Sequence, residues 1–185
     1  MSADEFEPIR REVLADARGT VVEIGVGPGY NLPIYTNVTK VYALEPSKEL
    51  VEIAKGRAQS LSFPFEFLVT GAEEIPLADA SVDTVVSTWT LCSVTDPEKV
   101  LSEIRRVLRA GGKFIFVEHG ATHIAFLHGI QRILTPITKH FTGNCHYDRK
   151  MQELITGAGF TIEKMSHPKE KSLLIYNYQG VATKV

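Results

Sequence analysis

The sequence predicts an α/β fold in which helices flank a mostly parallel sheet. Short apolar runs without polar alternation, such as Thr20–Ile24 and Val82–Ser87, are typical of strands that are buried on both faces of a parallel sheet. Segments whose apolar residues recur at helical spacing lie between these runs. At 185 residues the chain has the length of one domain and can bury a substantial core. We therefore expect a single domain over residues 1–185.

The elements follow one another in a regular order. Residues 1–19 are predicted to form one helix, because Phe6, Ile9 and Val13 recur at roughly helical spacing. Further helices are predicted from Ser47 onward, from Asp96 to about Arg109 with Gly111-Gly112 as its end, and from Met151 to a cap at Gly159. The predicted strands are Thr20–Ile24, Val41–Leu44, Phe65–Val69, Val82–Ser87, Lys113–Val117, Phe160–Met165 and Ser172–Ala182.

Residues 121–146 form an insertion after the fifth strand that is too apolar for a solvated loop. Pro136 and Gly143 interrupt it, which predicts two short helices with Phe126 in one and Phe141 in the other. An insertion at this point is expected to lie over the active-site end of the sheet and to form a wall of the substrate pocket.

Composition narrows the range of functions. The 20 Lys and Arg residues nearly balance the 22 Asp and Glu residues, so we expect no nucleic-acid partner. No apolar run approaches 18 residues and the first residues are acidic, which predicts neither a transmembrane segment nor a signal peptide. Cys92 and Cys145 are far apart and have no metal-ligand spacing. We expect a reduced, cytoplasmic protein without a metal site.

A glycine-rich turn follows the first strand in the stretch E-I-G-V-G-P-G, with glycines at Gly25, Gly27 and Gly29. Because glycine has no Cβ, the backbone can turn sharply there and approach a ligand closely. The loop leads into a helical turn whose free N–H groups can face that ligand. The pattern predicts a site for a nucleoside cofactor.

Two acidic residues at strand ends indicate which cofactor this is. Glu23 precedes the first glycine, where a carboxylate would repel the pyrophosphate of a dinucleotide but suits the cationic amino-acid part of S-adenosylmethionine (SAM). Glu45 follows the second strand, 22 residues after Glu23, at the distance where a ribose diol is hydrogen-bonded. We therefore expect SAM as cofactor and S-adenosylhomocysteine as product.

Two further motifs accompany the glycine loop, A-E-E-I-P-L-A-D-A-S-V-D-T-V-V-S and V-L-R-A-G-G-K-F-I-F-V-E. With them the sequence resembles the class I SAM-dependent methyltransferases from about Thr20 to its C-terminus. The resemblance implies a Rossmann-like, doubly wound, mostly parallel seven-stranded sheet with an antiparallel C-terminal strand.

The resemblance also implies further cofactor contacts. Many members of the family have an Asp after the third strand that accepts a hydrogen bond from the adenine amino group, and this chain has Gly71 in that place. We expect Gly71, Ala72 or Glu73 to contact the adenine instead. The end of the fourth strand faces cofactor and substrate in such a fold, which adds Thr88 to the expected cofactor contacts.

Methyl transfer from a sulfonium needs alignment and exclusion of water rather than a metal. A thiol, a phenol or a protonated amine must lose a proton before it attacks, so a general base would help. His119, after the fifth strand, and His146, at the edge of the insertion, are the candidate catalytic bases.

The acceptor class stays open at this point. The glycine loop, the T-L-C-S-V segment, the E-H after the fifth strand and the K-H-x-x-x-x-C run are similar to those of the methyltransferase-like thiol methyltransferase group. The glycine loop is also similar to that of bacterial phosphatidylethanolamine N-methyltransferases. The resemblance implies a small-molecule acceptor of the thiol, amine or quinol type. The alternative is a SAM-binding regulator, or an activating subunit of another methyltransferase, in which the apolar insertion is a partner surface.

Overall fold

The computed structural model describes residues 3–168 and 174–185. Its helices are α1 (Ala3–Leu14), α2 (Lys48–Ala58), α3 (Pro97–Val107), α4 (Ala125–Thr138) and α5 (Met151–Gly157), with a short 3-10 helix at Leu32–Ile34. Its strands are β1 (Gly19–Ile24), β2 (Val38–Leu44), β3 (Phe65–Leu68), β4 (Val82–Thr88), β5 (Leu108–Gly120), β6 (Phe160–Ser166) and β7 (Tyr176–Lys184). Of the predicted last strand, residues 172–173 lie outside the described residues.

The seven strands form one sheet in the order β3-β2-β1-β4-β5-β7-β6. Strands β1 to β5 pair in parallel, whereas β7 is antiparallel to both β5 and β6. The predicted fold class is confirmed. The strand order reverses between β1 and β4, and ligands of such sheets bind at the carboxyl ends of the strands beside this switch point.

Alternate residues of the central strands pack on opposite faces of the sheet. In β5, Phe114 and Phe116 belong to the core that packs against α3 and α5, whereas Ile115 and Val117 belong to the core under α1 and α2. All four side chains are fully buried. Apolar residues at every position of a strand therefore indicate a sheet that is covered on both sides.

Local signals place the helix starts as expected. The Ser47 hydroxyl accepts a hydrogen bond from the Leu50 N–H at 3.2 Å, and the Asp96 carboxylate accepts one from the Lys99 N–H at 2.9 Å. Helix α3 ends at Val107, close to the predicted end at about Arg109, but Gly111-Gly112 do not cap it. Leu108 is fully buried and extended, pairs with Val82 and starts β5.

The insertion contains one helix, α4, rather than the two that were predicted. Pro136 lies in the last turn of α4, where its missing N–H removes only one bond of the helical ladder. Gly143, with φ of +64°, and Phe141 lie in the turns after the helix. No helix within residues 3–168 or 174–185 has the length and apolarity that a membrane span requires.

Candidate functional site

A cleft of about 530 Å³ opens at the carboxyl ends of the central strands. Five of the residues predicted to bind the cofactor line it: Gly25, Glu45, Gly71, Ala72 and Glu73. They come from three separate loops, after β1, β2 and β3. The topology thus brings these predicted contacts together.

The glycines of the loop after β1 have different roles. Gly25 and Gly27 have positive φ values of +61° and +54°. A Cβ on Gly25 would lie 2.3 Å from the Thr90 hydroxyl oxygen, whereas a Cβ on Gly27 would have no neighbour closer than the Gly25 carbonyl oxygen at 4.0 Å. A Cβ on Gly29 would press on Ala54 of α2 at 3.0 Å. Gly25 and Gly29 are therefore required for packing, and Gly27 leaves free space beside the cleft.

Glu45 links the glycine loop to the end of β2. Its side chain is only 6% exposed, and its two carboxylate oxygens accept hydrogen bonds from the N–H groups of Gly27 and Ser47, each at 3.0 Å. Each carboxylate oxygen has a second lone pair, so Glu45 can also accept hydrogen bonds from a ribose diol in the cleft.

Glu23 does not line the cleft; it is buried behind the glycine loop. Its carboxylate accepts hydrogen bonds from Asn31 Nδ2 at 2.9 Å and from the Tyr35 hydroxyl at 2.8 Å. Burial raises the pKa of Glu23 to about 7, although the Tyr35 hydrogen bond and the nearby Arg10 guanidinium act in the opposite direction. This environment differs from the expected contact with a cationic ligand, and it makes Glu23 a support of the loop.

Thr88 belongs to the same buried network rather than to the cleft. Its hydroxyl accepts hydrogen bonds from Asn31 Nδ2 at 3.0 Å and from Arg10 Nη1 at 3.3 Å. Arg10 also contacts the ring face of Trp89, 4.8 Å from its centroid. Helix α1 is therefore fastened to the ends of β1 and β4, which sequence reasoning did not anticipate for Arg10 and Asn31.

A second cavity, of about 420 Å³, adjoins the cofactor cleft. Trp89, Ser93 and Thr142 line both spaces. The rest of its described lining consists of Cys92, His119, Cys145, Tyr147 and Ile175. Its position beside the cleft makes it the candidate acceptor cavity.

Cys92, His119 and Cys145 form a tight buried cluster in the wall of the acceptor cavity. The two sulfurs lie 3.4 Å apart, and His119 Nδ1 lies 3.3 Å from Cys145 Sγ and 3.9 Å from Cys92 Sγ. The hydrogen bond with Cys92 lowers the pKa of the Cys145 thiol to about 5, and His119 acts in the same direction. The same contact between the thiols raises the pKa of Cys92.

Glu118 is a further functional candidate that sequence reasoning missed. It is fully buried beside His119, and its carboxylate accepts hydrogen bonds from the N–H groups of Thr90, Leu91 and Cys92 at 3.1, 3.0 and 2.9 Å. Burial raises the pKa of Glu118. Glu118 thereby fixes the turn that carries Cys92, and its place at the end of a strand, like those of Glu23 and Glu45, was the available signal.

His119 and His146 are not brought together in one site. His119 is 4% exposed and lines the acceptor cavity, whereas His146 is absent from the described lining of that cavity. The His146 backbone N–H donates to the Cys92 carbonyl at 2.8 Å. Partial burial, together with the Arg149 guanidinium, lowers the pKa of the His146 imidazole.

One face of helix α4 borders a space next to the acceptor cavity. Gln131, Leu134, Thr135 and Thr138 line a neighbouring space of about 240 Å³ that shares Thr142, Tyr147 and Ile175 with the acceptor cavity. The buried Gln131 anchors the helix, because it accepts from the Thr122 N–H and donates to the carbonyls of Gly120 and Leu174. Phe126 and Phe141, expected as wall residues, are 77% and 86% exposed.

Comparisons with known proteins show the family of this chain. The family described as a methyltransferase domain matches residues 22–116. Thiol S-methyltransferase TMT1B of Rattus norvegicus is 34% identical over 176 residues, which cover 86% of this chain and 70% of the relative. The chain spans 62–70% of the length of the curated thiol S-methyltransferases it matches.

Two more similarities are informative. Phosphatidylethanolamine N-methyltransferase of Cereibacter sphaeroides is 32% identical over 118 residues, or 63% of this chain and 58% of the relative. The crystal structure of the YcgJ protein of Bacillus subtilis superposes with a TM-score of 0.75 over 99% of both chains, and at 14% identity this shows the fold alone. The chain therefore belongs to the methyltransferase domain family and is a SAM-dependent methyltransferase.

Proposed function

We propose that this protein transfers a methyl group from SAM to the sulfur of a small, largely apolar thiol. The observation that carries the proposal is the lining of the acceptor cavity. The cavity is bordered by aromatic and sulfur-bearing side chains and adjoins the cofactor cleft through Trp89. Among the residues that the structure describes, this lining contains no carboxylate, lysine or arginine.

The absence of a carboxylate from the described lining of the cavity favours a thiol over an amine. An amine acceptor is an ammonium ion at neutral pH, and removing such a cation from water is costly without a nearby carboxylate. A thiol enters as a neutral molecule, and its pKa of about 8.5 is closer to neutral pH than the value of about 10 for a phenol or quinol. Among the three acceptor classes a thiol therefore needs the least help from charged groups.

The relatives support the same choice. The protein of Rattus norvegicus is named for a thiol acceptor and matches 86% of this chain, whereas the protein of Cereibacter sphaeroides is named for an amine and matches 63%. The part of this chain that forms the acceptor cavity extends beyond the family match, which ends at residue 116. Acceptor choice is therefore assigned to His119, Cys145 and Tyr147, which lie beyond the match, together with Cys92, which lies within it.

SAM supplies an electrophilic methyl group on a sulfonium, and the protein's residues supply the rest. We assign Gly27 and Glu45 to the nucleoside, with Glu45 accepting from the ribose diol, and Gly71, Ala72 and Glu73 to the adenine. The aromatic and sulfur-bearing lining of the cavity limits water around the acceptor sulfur, which matters because a hydrated thiolate is a weaker nucleophile. An in-line approach to the methyl group then requires only that cleft and cavity hold the two molecules end to end.

His119 is the proposed base for the acceptor proton in the metal-free protein. It lines the cavity, so its imidazole lies within reach of an acceptor bound there. We favour His119 over His146, because His146 lies outside the described cavity lining and its protonated form is disfavoured beside Arg149.

The test is an acceptor panel with the purified chain and SAM. An alkyl thiol, an alkyl amine and a hydroquinone of similar size are compared by release of S-adenosylhomocysteine and by the mass of the methylated product. We expect kcat/KM for the thiol to exceed that for the other two by at least about tenfold, a difference of about 1.4 kcal/mol. Preferential methylation of the amine or the hydroquinone would overturn the proposal.

A matched pair of variants assigns the activity to this site. Tyr147→Phe keeps the ring that borders the cavity, whereas Tyr147→Ala enlarges the space beside His119, whose ring centroid lies 5.1 Å from that of Tyr147. The alanine variant should lose selectivity among thiols of different size, and the phenylalanine variant should keep it. Equal behaviour of both variants would place the acceptor elsewhere.

A further inference from the structure

Three distant segments of the chain bring Cys92, His119 and Cys145 together. Cys92 follows β4, His119 lies in the last residues of β5, and Cys145 lies between α4 and α5. Their ligand atoms, two sulfurs and one ring nitrogen, all lie within 4.8 Å of one another, and the three residues are 1%, 4% and 4% exposed. Thiol and imidazole groups arranged in this way are suited to bind a metal ion.

The distances match the edges of a tetrahedral zinc site. With Zn–S of about 2.3 Å and Zn–N of about 2.1 Å, a tetrahedral ion holds two sulfurs about 3.8 Å apart and a sulfur and a nitrogen about 3.6 Å apart. The structure has 3.4 Å for the two sulfurs, and 3.3 and 3.9 Å for the two sulfur–nitrogen pairs. Shifts of a few tenths of an ångström in these three side chains would give the distances of a tetrahedral site.

We propose that Cys92, His119 and Cys145 form a three-ligand zinc site whose fourth position opens into the acceptor cavity. All three ligands line that cavity. Structural zinc sites are closed by four protein ligands, whereas catalytic sites keep one position for water or substrate. Two thiolates and one imidazole also favour zinc over magnesium or calcium, which prefer oxygen ligands.

The surrounding residues hold the ligands in place before any ion binds. Glu118 accepts from three consecutive backbone N–H groups, including that of Cys92. Arg149 donates to the carbonyls of Leu91 and Val94 at 2.6 and 2.7 Å, which joins the turn after β4 to the segment that carries Cys145. Such supporting contacts orient metal ligands and tune affinity.

The role of the fourth position rests on the proposed thiol acceptor. An acceptor thiol that coordinates zinc loses its proton to solvent and binds as a thiolate. Its sulfur then forms a bond to the methyl carbon while the bond from that carbon to the SAM sulfur breaks, which leaves a thioether and S-adenosylhomocysteine. In the zinc-loaded protein His119 is a ligand, so zinc rather than imidazole lowers the pKa of the acceptor thiol.

Metal binding is tested without reference to activity. The purified chain, kept reduced with a phosphine, is titrated with Zn²⁺ and with Co²⁺, and bound metal is measured by elemental analysis and absorbance. We expect one ion per chain, with thiolate-to-cobalt charge-transfer bands and intense visible bands of a tetrahedral site. The chain has only two cysteines, so two-thiolate intensity can arise only from Cys92 and Cys145.

Variants assign the ligands. Cys145→Ser and His119→Gln should each weaken zinc binding by roughly 100-fold or more, because each removes one of three ligands. His140→Gln changes an exposed histidine outside the cluster and should bind zinc like the unchanged chain. Zinc should also raise the melting temperature of the unchanged chain, which keeps the test informative if a variant does not fold.

Binding of an acceptor at the fourth coordination position is measured separately. Adding an alkyl thiol to the cobalt-loaded chain should strengthen the charge-transfer band, whereas an alkyl amine of the same length should leave the thiolate band unchanged. Absence of bound metal in the fully reduced chain, or a Cys92–Cys145 disulfide with loss of two hydrogen atoms under reducing conditions, would overturn the proposal. Either result would leave the acceptor panel unaffected, and failure of the panel would leave metal binding unaffected.

Discussion

The cofactor cleft and the acceptor cavity share Trp89, Ser93 and Thr142, but they are built from different kinds of group. The part of the cleft that is formed by the turns after β1, β2 and β3 contains Gly25, Gly71 and the Glu45 carboxylate, which accepts a hydrogen bond from the Gly27 N–H. The cavity is shaped by side chains. Its cluster of Cys92, His119 and Cys145 comes from residues 26 to 53 positions apart.

This difference separates the residues expected to bind the cofactor, which every acceptor needs, from the residues expected to select the acceptor. A ligand site that depends on a few glycines, acids and backbone groups tolerates sequence change at the positions around them. A cavity lined by side chains can change its acceptor preference through single substitutions, because proteins of one fold differ in function through the side chains at their sites. Substitutions in the cleft should therefore affect cofactor affinity for every acceptor, and substitutions in the cavity should affect one acceptor relative to another.

The largest effect is expected from Gly27→Val, which fills the space beside the cleft and disfavours the backbone φ of +54°. Affinity for S-adenosylhomocysteine should fall by more than about 100-fold, or about 2.7 kcal/mol, by calorimetry. Gly56→Ala, in α2 with no neighbour within 4 Å, is the control and should bind normally. Unchanged affinity in folded Gly27→Val protein would remove the loop from the cofactor site.

Glu23 is buried behind the glycine loop, and its role in supporting that loop can be tested through the pH dependence of stability. Its pKa is raised from 4.5 to about 7, so the folded state keeps the proton to higher pH than the unfolded state. Its contribution is complete below pH 4.5 and is lost as pH rises through 7, a fall of about 3 kcal/mol in the free energy of unfolding. Urea unfolding at several pH values should show that Glu23→Gln lacks this fall. Parallel pH profiles for both proteins would contradict the raised pKa.

Glu45→Gln tests the ribose contact. We expect a loss of roughly 10- to 100-fold in affinity for adenosine-bearing ligands, because hydrogen bonds to a charged acceptor are worth about 1.5–3 kcal/mol. Glutamine is used rather than alanine, since Glu45 also accepts from the N–H groups of Gly27 and Ser47. Glu49→Gln, at an exposed position, is the control. An equal loss for free methionine would argue against a ribose role.

On the cavity side, Leu134 and Ile133 are neighbours on α4 with different surroundings. Leu134 lines the space beside the acceptor cavity, whereas Ile133 is 73% exposed. Leu134→Ala should change relative rates among thiols of different size by several-fold, with unchanged affinity for S-adenosylhomocysteine, because an enlarged pocket binds larger acceptors better. Ile133→Ala should change neither quantity. Identical rates for both variants would mean that α4 does not select the acceptor.

The smallest effect is expected at Phe126 and Phe141. Because their side chains are 77% and 86% exposed, alanine in either place should change the free energy of unfolding by less than about 0.5 kcal/mol. Urea unfolding measures this directly. A cost of about 3–5 kcal/mol, as for a buried aromatic residue, would mean that these rings are covered in solution.

The sequence by itself was sufficient for the sheet and for the glycine loop. Each of these elements depends on a few consecutive residues: strand periodicity, helix caps such as Ser47 and Asp96, and a turn of glycines. They can therefore be predicted from the sequence without knowledge of the fold. The predicted seven-stranded sheet and the grouping of Glu45 with Gly71 around one cleft follow from parallel strands ending at one edge.

The local sequence pattern was less informative where contacts with residues distant in the chain determine the local structure. The two helices predicted for residues 121–146 became one, because Pro136 costs little near a helix end and Gln131 anchors the whole segment. Thr88 and Glu23 sit at strand ends as expected, but Asn31, Tyr35 and Arg10 draw them into a buried network.

The sequence thus determined the fold and the grouping of five predicted residues around one cleft, and the tertiary structure decided the lining of the candidate acceptor cavity. Cys92 and Cys145 have no metal-ligand spacing along the chain, yet their sulfurs lie 3.4 Å apart beside His119 in the folded protein. The physical reason is that short-range signals come from neighbouring residues, whereas a side-chain cluster depends on how the turn after β4, the end of β5 and the segment before α5 pack together.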